Sequence, residues 1–142
     1  MNPLETYDYL TRARRDLWAT LEAAPDEVLR RPLLHGKRFD SILDLVLHTA
    51  EVEDGWIHGD FQGLPMVQDR HPDVRDRPDG PDTALSLATI QAYWQDVEAD
   101  TQAYLSALTD SDLTRVVTLE DWPEGHRQFR LCLLYTSPSP RD

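Results

Sequence analysis

The sequence predicts an all-α protein, a four-helix bundle whose fourth helix is largely missing. Three observations carry this. Three segments repeat apolar residues at helical spacing and open at recognisable caps. The Pro- and Gly-rich run "FQGLPMVQDRHPDVRDRPDGPD" is long enough to serve as the single crossover of such a bundle. The third observation is a break: the apolar run "LCLLY" gives way to Ser-Pro-Ser-Pro, and the native part is expected to be cut off near Leu131, in the middle of that run.

The first helix opens at Asn2-Pro3, a cap residue with proline behind it, and Glu5 follows three residues after the cap. Leu4, Tyr7, Leu10, Leu17, Trp18 and Leu21 recur on one face, so the helix is expected over Pro3 to Ala23, where Pro25 prevents simple continuation. The connection "PDEVLRRPLLHGKRFD" holds one helical turn at Asp26 to Arg30. The second helix starts at "SILD", a Ser-x-x-Asp capping box, and runs to about Gly59. Its expected buried stripe is Leu45, Val46, Thr49, Val52 and Trp56, with Asp44, Glu51 and Asp54 on the opposite, solvated side.

The run from Phe61 to Asp82 reads as a long loop with a Pro-Asp-Gly turn. The third helix is expected from about Thr83, capped by Asp82 or Thr83. Leu87, Ile90, Trp94, Val97, Thr101, Tyr104, Leu105 and Leu108 form its buried stripe. "LTDSDL" reads as a capped turn. Beyond it, "RVVTL" and "HRQFRL" are short β-prone runs around "EDWPEG", either an irregular hairpin or an extended lead into a further helix.

The ending is foreign in character. Cys132 through Asp142 can be written, codon by codon, as a string that looks like the transposon-end adapter used for sequencing libraries. The expectation is therefore a helical bundle domain over residues 1–131, incomplete, and a non-native tail over residues 132–142. Three amphipathic helices leave a groove that a fourth would fill, and each large side chain left uncovered forfeits on the order of 1.5 to 3 kcal/mol. A chain of this kind is expected to be inactive as it stands.

Composition narrows the function classes. The 142 residues carry a formal net charge of -12, which argues against a nucleic-acid surface and against an anionic membrane. Of the 14 basic residues only Lys37 is a lysine, and the Arg12, Arg14, Arg15 cluster reads as a solvated helix face. Cys132 is the single cysteine, so neither a disulfide framework nor a Cys-based zinc site is expected. "MNPLETYDYL" has neither the basic flank nor the apolar core of a signal peptide, and the expected location is cytoplasmic.

No Gly-rich phosphate loop, nucleophile elbow or His-Glu-x-x-His pattern occurs. Of the five histidines, His48 sits in the informative place, on the second helix between Leu45 and Val52 at the border of the stripe. Its position alone favours a structural histidine over a metal ligand. His35, His58, His71 and His126 fall in connections or at a helix end and read as exposed. Glu53 either orients a partner or is a solvated carboxylate, and the second is favoured. Trp18, Trp56 and Trp94 read as packing, each indole N–H with one partner.

Taken together, "YDYLTRARRDLWATLEAAPDEVLRRPL", "FDSILDLVLHTAEVEDGWIHGDFQG" and "YWQDVEADTQAYLSALTDSDLTRVVTL" resemble the DinB/YfiT-like superfamily. The most specific piece is Leu47-His48, then Glu53, then Trp56, then Gly63. The resemblance implies an up-down-down-up bundle that binds a divalent metal (Zn, Ni or Fe) through three histidines, one on helix 2 and a His-x-x-x-His pair on helix 4. His48 matches the first, which reverses the reading from position alone; the pair has no counterpart here. The resemblance also implies a thiol-dependent S-transferase or isomerase acting on a small-molecule substrate. Bacillithiol, mycothiol or glutathione would be the cosubstrate, and metal-lowered acidity of a bound thiol or water would supply the nucleophile. No catalytic residue follows from it, and homodimerisation stays open. The competing reading is a noncatalytic helical bundle that binds a metal or a partner protein.

Overall fold

A computed structural model describes residues 2–33, 40–78, 85–120, 124 and 128–130. The Asn2 side chain accepts the Glu5 N–H at 2.9 Å, and with Pro3 in the first turn it starts α1, Pro3–Ala23. A single turn, α2 (Asp26–Arg30), follows Pro25. At Ser41 both halves of the capping box are present: the side chain accepts the Asp44 N–H at 3.1 Å, and Asp44 accepts the Ser41 N–H at 3.1 Å. These start α3, Ile42–Asp54.

The helix does not stop at Gly59. It widens into a π-helical segment, Gly55–Gln62, and ends at Gly63, whose φ of 64° is the left-handed conformation that glycine adopts without a Cβ penalty. The long loop expected after it is a more ordered crossover, with a 3-10 turn at Val67–Arg70 and α4 at Pro72–Arg75. These turns set Val67 and Val74 into the core at 2 % and 0 % exposure. Burial of each is worth on the order of 1.5 to 3 kcal/mol, which accounts for the order.

Next comes α5, Leu87–Ala107, capped by Ser86 through the Thr89 N–H at 3.1 Å. It begins four residues later than the periodicity suggests, because Leu85 and Ser86 are non-helical; Asp82 and Thr83 lie outside the described residues. A second capping box, Thr109 with Asp112, opens α6, Asp110–Leu113. Of the two readings of the next stretch the hairpin-like one holds: β1 (Val116–Thr118) pairs antiparallel with β2 (Gln128–Arg130), Val117 opposite Phe129.

The main core joins Trp18 and Leu21 of α1, Leu43, Leu47 and Ala50 of α3, and Ile90, Tyr93 and Val97 of α5. A smaller cluster packs Ile57 and Phe61 of the π-helical segment on Val117 and Leu119. The described long helices form an all-α assembly, as predicted.

The expected stripes need rotation. On α3 Leu45 is 43 % exposed and Thr49 is exposed, whereas Leu43, Val46, Leu47, Ala50 and Asp54 are buried. The helix is apolar on more than one side, and α5 together with the crossover covers the Leu43–Leu47–Asp54 side. On α1 Leu10 and Leu17 are likewise half exposed. Expectations about residues 131–142, His35 and His126 lie outside the described residues.

Candidate functional site

His48 lies near the middle of α3 and is partly buried, on the border between the core face and the exposed Leu45 side. Among the described residues, no group of three or more His, Cys, Asp or Glu side chains comes together in a way that would hold a metal ion. Of the expected ligands, His48 offers an imidazole nitrogen on α3. Two open grooves, of about 320 and 410 Å³, lie along α1, the first bordered also by Gln102 of α5. They are lined by residues such as Thr11, Arg12, Arg15 and Tyr9, and neither includes His48.

Five residues after His48, Glu53 enters a polar network that links all three long helices. It accepts from Arg14 Nη2 at 2.9 Å, from the Tyr7 hydroxyl at 2.7 Å and from the Thr101 hydroxyl at 3.2 Å. Arg14 reaches Glu98 of α5 through its other terminal nitrogen at 3.1 Å, and its guanidinium lies over the Trp94 ring, 4.3 Å from the centroid. The expectation of a solvated Glu53 and a solvated Arg14 is corrected: their side chains are 15 % and 11 % exposed. Helical periodicity places Glu53 on a flank, and only the approach of α1 and α5 turns that flank inward.

The environment shifts these groups. Burial, then the neighbouring Glu53, pushes the Tyr7 phenol well above its usual range. Burial works to lower Arg14, and Glu53 and Tyr7 outweigh it, so the guanidinium ends more firmly protonated. Trp94 packs edge-on against Trp18 with centroids 5.4 Å apart, as core tryptophans do. Its indole nitrogen is buried without a hydrogen-bond partner among the described residues, against the expectation of one.

A second polar cluster ties the crossover down. Asp54, expected on the solvated face, is fully buried. It accepts the Val67 N–H at 2.9 Å, the Gln68 N–H at 3.0 Å and the Tyr93 hydroxyl at 2.7 Å. Burial and then Asp54 itself push the Tyr93 phenol far upward. His58 and His71, both expected to be exposed, are not: His58 is 5 % exposed beside Asp54 and Asp100. His71 bonds Asp96 at 2.7 Å through Nε2 and stands edge-on to Tyr93. Arg70 bonds Asp100 at 2.8 Å. The signal that sequence reasoning passed over is the spacing Asp54-x-x-x-His58, which puts both side chains on one helical face.

No described helix is long and apolar enough to cross a membrane. A family model described as the DinB superfamily matches residues 9–136 of the chain. No curated protein and no solved structure matches it.

Proposed function

Because the chain belongs to the DinB superfamily, we propose that the intact protein is a divalent-metal-dependent enzyme, a thiol-dependent S-transferase or isomerase, with His48 as one metal ligand. The observation that carries the reading is the position of His48: partly buried on α3, in the motif Leu47-His48, Glu53, Trp56, Gly63, within the matched segment. Gly63 ends the helix in the left-handed conformation, so the motif's glycine has a physical role here. A divalent cation (Zn, Ni or Fe) held at such a site would supply Lewis acidity toward a thiol sulfur or a water. The remaining ligands of this reading, a His-x-x-x-His pair, have no counterpart among the 142 residues. A small-molecule electrophile as substrate, a low-molecular-weight thiol as cosubstrate and a cytoplasmic location belong to the same proposal.

The experiment is to read the source gene past codon 131, express the protein to its natural stop, and measure bound metal and thiol conjugation to a model electrophile. A His-x-x-x-His pair downstream, stoichiometric metal lost in His48→Gln, and turnover with a thiol are the expected results. If that protein holds metal but turns over no thiol, the noncatalytic bundle replaces the enzyme. Should His48→Gln retain full metal content, the assignment of His48 fails.

A further inference from the structure

His58 is an imidazole with a carboxylate at each end. Its Nδ1 stands 3.0 Å from Asp54 Oδ1, and its Nε2 stands 3.5 Å from Asp100 Oδ2, with the side chain only 6 % exposed. A neutral imidazole carries one N–H and must turn a lone pair toward one of the two carboxylates; only the imidazolium presents a donor to both. The Nδ1 contact is close but makes no hydrogen bond as placed, so the pairing is available rather than closed.

Every element packed here contributes charge. Asp54 and Glu51 come from α3, Glu51 being paired with Arg77. Asp96 and Asp100 come from α5, and Arg70 and His71 come from the crossover and pair with them. Asp60 lies on the π-helical segment with His58, and Asp69 on the 3-10 turn. Counting only the directly paired groups, Asp54, Asp96 and Asp100 against Arg70, the seam is short of positive charge when both histidines are neutral and matched once both are protonated, with Asp60 and Asp69 adding further negative charge nearby. Asp54 is already committed to Val67, Gln68 and Tyr93, so it cannot turn away to relieve the conflict.

We propose that His58 is a proton-operated latch: its imidazolium ties the π-helical segment Gly55–Gln62 to α5, and its neutral form releases the segment and the crossover behind it. Segments of a fold open separately from the rest, and π-helical turns are rare enough that a specific device holding one is informative. The latch engages when His58 is protonated and loosens when it is neutral.

The test is amide hydrogen exchange on the full chain at about pH 5.5 and about pH 8, corrected for intrinsic exchange and referred to amides in the middle of α1. Phe61, Gln62, Gly63, Val67 and Gln68 are expected to open roughly three- to tenfold more readily at the higher pH. His58→Gln should remove that difference. Asp100→Asn, at a position 39 % exposed, should shrink it, because the amide satisfies a neutral ring. His71→Gln should leave most of it. Equal corrected exchange in the unmodified chain at both pH values overturns the proposal, as does an Asp100→Asn variant with undiminished pH dependence. Loss of the difference in His71→Gln alone moves the effect to the other histidine and overturns it equally.

Discussion

The Tyr93 hydroxyl donates to Asp54 at 2.7 Å, joining the most buried tyrosine of α5 to a fully buried carboxylate of α3. That carboxylate also holds the first two amides of the crossover's 3-10 turn. Asp54 is therefore the joint at which three elements meet, and its value lies in leaving none of these donors unpaired.

Asp54→Ala is expected to destabilise the chain by about 3 to 5 kcal/mol, because it strands the buried Val67 amide, the half-buried Gln68 amide and the buried Tyr93 hydroxyl. Tyr93→Phe removes one of the three bonds and is expected to cost about 1 to 2 kcal/mol. Urea unfolding of the two variants measures both. Equal small losses would show that Asp54 is not the joint described.

Arg14 and Glu53 are expected to be coupled. Their contact is nearly buried and shared with Tyr7, Glu98 and Trp94, so a cycle of Arg14→Met, Glu53→Gln and the double variant should give an interaction of about 1 to 3 kcal/mol. An exposed pair such as Arg31 with Glu27 should give under about 0.5 kcal/mol. Additive effects at Arg14 and Glu53 would contradict the network.

Alkaline stability should follow the tyrosines. Tyr7 and Tyr93 are held in the phenol form by burial and then by their carboxylate partners. Their folded-state values lie above the unfolded one, so their contribution is complete below about pH 10 and is lost as pH rises beyond it. Phenolate absorbance from these two residues should appear only with unfolding. Tyr93→Phe and Tyr7→Phe should each flatten the alkaline limb of the stability curve.

On the proposed three-histidine site, the 142-residue chain is expected to bind zinc or nickel weakly, since no His-x-x-x-His pair occurs in its sequence to join His48. Calorimetric titration checks this, and tight one-to-one binding would sink it. Any weak binding that remains should fall further in His48→Gln.

The parts of this protein that its sequence determined are the local ones. Asn2-Pro3, Ser41 with Asp44, and Thr109 with Asp112 start helices wherever the rest of the chain lies, because a cap satisfies orphan amides within a single turn. The stripe of α5 was legible for the same kind of reason, having one dominant apolar face, and His48 could be placed on its helix by the motif around it. Only the tertiary structure decided which side of α3 points inward. That helix offers apolar residues on two sides, and the choice fell to the partners that cover them: α5, and a crossover whose Val67 and Val74 gave no periodic sign of being core. Turning Leu43 and Leu47 inward carried Asp54 and His58 inside with them, left Leu45 at the surface, and brought Glu53 to Arg14. Side-chain periodicity records which faces a helix can bury, and neighbours distant in sequence select the one it does.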